Sequence, residues 1–180
     1  VEDWVRILQF YVDLQIEMAA RVPELLALGM PDRRLATLPT LYTNLLASTA
    51  DLRVGQDAGL TVDEYQRLLE LRPEVAAMCD QLASYGLPAT LTHEEVHDTN
   101  VLVSGDRCIF TDWSDASVAH PLFTILTTLR AAAHRLKLPE DGLEMRRVRD
   151  AYLEPWTRFT TRSEISSAFT LAYRLAMINR

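Results

Sequence analysis

Between residues 91 and 121 the chain leaves the helical periodicity that governs the rest of it, reading LTHEEVHDTNVLVSGDRCIFTDWSDASVAHP. Within and just before it, the runs 90–92, 101–103 and 108–111 are short, rich in β-branched residues and bounded by turn formers, which is the pattern of brief strands. Gly105-Asp106 separates the last two and predicts a hairpin turn. On either side, helical spacing resumes. Trp4, Leu8, Tyr11, Gln15, Met18 and Val22 recur every three to four positions, predicting a helix over residues 2 to about 28, stopped by Gly29 and Pro31. Residues 38–48 predict a second helix and 51–59 a loop. Thr61-Val62-Asp63-Glu64 is a capping box, Pro73 breaks or restarts that helix, and Gly86 ends it. Downstream, Leu122, Ile125 and Leu129 form one stripe and residues 141–159 another, through Met145, Val148, Tyr152 and Trp156. Thr161-Arg162-Ser163-Glu164, a second capping box, opens a final helix carrying Ile165, Phe169, Tyr173 and Met177. The fold class expected is therefore mainly α with one small β-hairpin, a single domain over residues 1–180.

The composition narrows the function classes. A formal net charge of −7 and the lack of any Lys/Arg run argue against nucleic acid as a partner. No apolar run reaches about 18 residues and the N-terminus has no secretory pattern, so no membrane partner and a cytoplasmic location are expected. Cys79 and Cys108 belong to no CxxC pair and read as small buried thiols. The chain begins at Val1, directly inside a helix, which hints at a fragment.

The strand-loop-strand segment carries the chemistry. It holds His93, Glu95, Asn100 and Asp112, a candidate base and two oxygen ligands for Mg²⁺, as phosphoryl transfer from ATP requires. It also spells HExxH over residues 93–97, the zinc-hydrolase signature. That signature needs a helix, where two His four apart share a face. Here Asp98-Thr99-Asn100 is loop chemistry, a strand-like run follows, and no third ligand presents itself, so the zinc reading ranks second.

Read as a loop, His93-x-Glu95-x-x-x-x-Asn100, then a hairpin, then Asp112-Trp113 with Pro121 behind, resembles the catalytic segment of the aminoglycoside phosphotransferase and choline kinase-like families. Those families share the protein-kinase-like α+β fold, and the resemblance covers its helical C-terminal lobe. It implies an ATP-dependent phosphotransferase acting on a hydroxyl of a small molecule, of aminoglycoside type or a related alcohol. It assigns Asn100 and Asp112 to Mg²⁺, Glu95 to the base and His93 to bracing the loop. His97 reads equally as a substrate contact or a loop brace, and Asp115 as a substrate-side charge near the metal or a turn cap.

Two departures matter. The family has Asp where this chain has Glu95, one methylene longer, which leaves open a degenerate kinase-like binding protein. The family also needs an N-terminal nucleotide lobe with a strand lysine and a phosphate-covering loop. The six glycines do not cluster, and the one lysine is Lys137, beyond the catalytic segment. The expectation is a lobe whose nucleotide-binding partner lies outside these residues, and which exposes an apolar face where that partner packs. Trp113 is expected to anchor the loop, His120 to be structural, and Glu140, Asp141, Glu144, Asp150 and Glu154 to form solvated helix faces.

Overall fold

Proline decides where several of the helices begin. The computed structural model describes residues 1–105 and 107–179. The helix expected over residues 2–28 is two helices, α1 (Glu2–Ala19) and α2 (Val22–Ala27). Pro23 lies in the first turn of α2, where a missing N–H costs nothing, whereas in a continuous helix its ring would collide with the preceding turn. The same reason divides residues 141–159, expected as one helix, into α7 (Leu143–Leu153) and a 3₁₀ turn, Glu154–Arg158, at Pro155. Between these lie α3 (Leu38–Ala47), α4 (Val62–Glu70), α5 (Arg72–Ala83) and α6 (Ile125–Leu136), and α8 (Arg162–Asn179) closes the described chain. Both capping boxes form. The Thr61 hydroxyl accepts the Glu64 N–H at 3.2 Å while Glu64 accepts the Thr61 N–H at 2.9 Å, and Thr161 and Glu164 repeat the exchange.

The strands are β1 (Asp32–Arg33), β2 (Thr90–Thr92), β3 (Val101–Ser104), β4 (Arg107–Phe110) and β5 (Ser117–Ala119). β3 and β4 make the expected antiparallel hairpin, Val101 opposite Phe110 and Ser104 opposite Arg107. Of the expected turn pair, Gly105 has φ +56° and Asp106 lies outside the described residues. The sequence reading missed a second sheet. β5 lies at its centre, parallel to β1 and antiparallel to β2, with Arg33 opposite Ala119 and Thr92 opposite Ser117. Ser-Val-Ala is buried throughout and shows no alternation, and a two-residue β1 gives no periodicity at all.

The core gathers Trp4, Leu8 and Tyr11 of α1, Met145, Val148 and Tyr152 of α7, Leu122 and Ile125, and Leu171 and Leu175 of α8. Inside it sits a polar layer that places β2. The Tyr152 hydroxyl is 2.7 Å from both Gln15 Oε1 and the Pro121 carbonyl. Gln15 Nε2 in turn donates to the Leu91 and Pro121 carbonyls at 3.4 and 3.3 Å, and the Thr90 hydroxyl donates to the Gln15 carbonyl. Gln15 thus belongs to the buried stripe because its amide is satisfied there. Among the described residues, no helix is long and apolar enough to cross a membrane.

His120 joins this interior at the 3₁₀ turn Pro121–Phe123, whose Leu122 N–H it accepts at Nδ1. It is 2% exposed, and its Nε2 has no partner among the described residues. Burial disfavours the imidazolium and holds the His120 pKa down to about 3, from 6.5. As pH falls below 6.5 the unfolded chain takes up this proton and the native chain does not. Stability is therefore lost on acidification, by about 2 kcal/mol between pH 6.5 and pH 5. The carboxylates held low, Asp32 and Glu164, add their loss only further down. Urea denaturation across this window is expected to show the slope in the wild type and its absence in His120→Asn.

Candidate active site

The loop joining β2 to β3 is a chain of turns, not a helix, from His93 to Asn100. Its shape follows from where the His93 imidazole goes. Nδ1 accepts the Glu95 N–H at 3.1 Å, so Nε2 carries the proton and donates to the Thr111 carbonyl at 2.8 Å. Both ring nitrogens are committed. The ring also meets Trp113 edge-on, centroids 4.7 Å apart, and the Trp113 indole N–H donates to the Phe110 carbonyl at 2.9 Å. His93 and Trp113 therefore brace the loop, as expected of them.

This disposes of HExxH as a zinc motif. Residues 93–97 do not form the helix it needs, and His93 has no ring nitrogen to spare. Among the described residues, no group of three or more His, Cys, Asp or Glu side chains is gathered for a metal.

The hairpin register sets Asn100 level with the residue before Asp112, although twelve positions separate the two in sequence. Val101 pairs with Phe110, so Asn100 falls opposite Thr111, whose N–H donates to the Asn100 carbonyl at 2.9 Å and whose hydroxyl does so at 3.3 Å. Asp112 follows at once, with φ +62°. This left-handed conformation costs an L residue about 1–2 kcal/mol, and Asp tolerates it better than most. Its carboxylate accepts the Ser114 hydroxyl at 2.9 Å. The Asn100 side chain is oriented too: Nδ2 donates to the Glu95 carbonyl at 3.2 Å, which leaves Oδ1 as the amide atom for a cation. A carboxamide oxygen and a carboxylate are hard donors, which suit Mg²⁺ with several waters retained.

Glu95 is half-buried in the same loop. His97 makes its contacts within the loop: its Nε2 lies 3.8 Å from Glu95 Oε2 and 3.3 Å from Asn100 Nδ2, and its Nδ1 meets the Thr99 hydroxyl at 3.0 Å. Asp115 is exposed and joins Glu94, Glu95 and Arg33 around a cleft of about 210 Å³. Asp98 pairs with Arg135 of α6 at 3.0 Å, tying the loop's outer turn to the helical body. Sequence reading missed Arg33, Thr111 and Tyr11. Arg33 sits on the unforeseen β1. Thr111 acts mainly through its backbone, which no residue type announces. Tyr11 looked like one more stripe residue, yet its hydroxyl accepts the His93 N–H at 2.8 Å and shares a 3.0 Å hydrogen bond with Thr124. Burial raises the Tyr11 pKa far above its usual value, so the phenol stays protonated.

On this geometry the comparisons with known proteins can be read. The phosphotransferase enzyme family matches residues 12–163, most of the chain including the whole site, and the chain belongs to that family. No curated protein and no solved structure matches it.

Tyr11→Phe strips the acceptor from the His93 N–H and leaves it buried. The expected loss is about 1–3 kcal/mol by urea denaturation, with faster exchange of the residue-93 amide. An unchanged midpoint would contradict the support assigned to the phenol.

Proposed function

We propose that this protein transfers the γ-phosphoryl group of ATP to a hydroxyl of a small molecule, and that Glu95, Asn100 and Asp112 do the work. The observation that supports the reading is the register of β3 and β4, in which Asn100 lies opposite Thr111, the residue before Asp112, and Asn100 Nδ2 donates to the carbonyl of Glu95. Asn100 Oδ1 and the Asp112 carboxylate would hold Mg²⁺, which when bound neutralises charge on the phosphate oxygens. Glu95 accepts the acceptor's hydroxyl proton as the new O–P bond forms and the bond to ADP breaks. His97 lies beside the Glu95 carboxylate and meets the donor end of the Asn100 amide, and His93 keeps the turn in place. The acceptor enters through the cleft of Arg33, Glu94, Glu95 and Asp115. Three carboxylates there favour an acceptor with a cationic group, aminoglycoside-type alcohols among them.

The nucleotide lobe is part of the same proposal. Leu102 and Ile109 face one another across the hairpin and are more than half exposed, and Val103 beside them is 48% exposed. Such a patch next to Asn100 and Asp112 suits a covering lobe that supplies the phosphate-binding lysine and loop.

The rival reading, a binding protein that has lost catalysis, rests on Glu95 standing where the family has Asp. The test is ADP release by the full-length gene product against a panel of aminosugars and amino alcohols. Glu95→Gln is expected to lower kcat by roughly a hundredfold or more with little change in the KM for ATP. Glu95→Asp is expected to retain measurable turnover. A wild-type protein that binds ATP and turns over none of the panel, and does not gain activity in Glu95→Asp, would favour the rival.

A further inference from the structure

The far end of the chain reaches back into the catalytic loop. Asn179, the last residue of α8, is 3% exposed. Its side-chain Nδ2 donates to Glu94 Oε1 at 2.8 Å, and its main-chain carbonyl accepts from Arg33 Nη1 at 2.6 Å. The amide orientation is fixed by chemistry, because a carboxylate oxygen needs a donor opposite it. Asn179 Oδ1 is then left buried with no partner among the described residues. An orphaned acceptor is a poor return for packing alone, so the amide is there for the carboxylate it holds. Glu94, 5% exposed, also takes the Thr92 hydroxyl at 3.5 Å. It immediately precedes Glu95, and both line the cleft that Arg33 shares.

We propose that Asn179 is a positioning residue for phosphoryl transfer: through Glu94 it fixes the backbone that aims Glu95, and through Arg33 it ties that turn to β1, which also lines the cleft. Glu94 is the handle by which α8 holds the loop from behind, while His93 holds it from the hairpin side. This inference rests on the reading of Glu95 as the base. It adds that the longer Glu95 side chain is served by a brace in which residue 94 is a buried carboxylate.

The experiment reverses donor and acceptor across one hydrogen bond, in the full-length protein. Asn179→Asp sets a carboxylate against Glu94, and Asn179→Asp combined with Glu94→Gln restores a donor–acceptor pair in the opposite sense. The single variant is expected to lower kcat at least roughly tenfold with the KM for ATP nearly unchanged, since a small displacement of a reacting group is costly. It should also speed amide hydrogen exchange at Glu95, His97 and Asn100. The double variant is expected to recover the slow exchange, which is its readout because Glu94 is itself one of the carboxylates of the acceptor cleft. Should the aspartate variant not fold, Asn179→Ser, with a donor of shorter reach, carries the same readouts. Wild-type kcat and exchange in the single variant, or no recovery of slow exchange in the double, overturns the proposal. If the wild type transfers no phosphoryl group, exchange alone decides the brace. Faster exchange then upholds it and removes only the role given to Glu95, and unchanged exchange overturns it.

Discussion

The backbone of Thr111 is the point on which the site depends. Its N–H goes to the Asn100 carbonyl, its carbonyl takes the His93 imidazole, and the next residue is Asp112. One residue thus locks three stretches of chain, each carrying one of the groups that define the site. The tautomer of His93 is part of the lock. Because Nδ1 must accept from the Glu95 N–H, the only proton on the neutral ring faces Thr111. Helices then hold the lock from outside. Tyr11 of α1 receives the His93 N–H, Arg135 of α6 pairs with Asp98, and Asn179 of α8 meets Glu94. A loop with almost no regular structure is kept rigid by side chains from elements far away in sequence, as the positioning of reacting groups requires.

Much of this architecture was legible in the sequence because its signals were local. Both capping boxes, the glycine stop at Gly86 and the β3–β4 hairpin follow from spacing over a few residues, and each formed. Prolines were read correctly at Pro73 but not at Pro23 and Pro155, where apolar periodicity ran on across the break and hid it. The sheet of β1, β5 and β2 was invisible for another reason. It is assembled from pieces of two and three residues whose pairing is wholly long-range. The family was legible through residue type and spacing, from His93 through Asn100 to Asp112-Trp113. Of what holds the loop, only His93 and Trp113 were legible. Thr111 contributes mainly backbone, Tyr11 was counted as core, and Asn179 lies 85 residues from the group it binds.

HExxH shows how context outranks a motif. The five residues are those of a zinc site, but the Thr111 carbonyl and the Glu95 N–H occupy both ring nitrogens of His93. The same two hydrogen bonds hold the loop between β2 and the hairpin. The strain at Asp112 belongs to this arrangement, for a left-handed residue there turns the chain sharply after β4.

The measurement that bears most directly on this account is a calorimetric titration of ATP into the full-length protein, with and without Mg²⁺, for the wild type and Asp112→Ala. If Asn100 and Asp112 form a cation site at the mouth of the loop, ATP binds the wild type more tightly with Mg²⁺ than without, and the variant loses that difference while keeping its fold. Binding that ignores Mg²⁺, or survives Asp112→Ala undiminished, would contradict the pairing of these two residues and with it the account of the site.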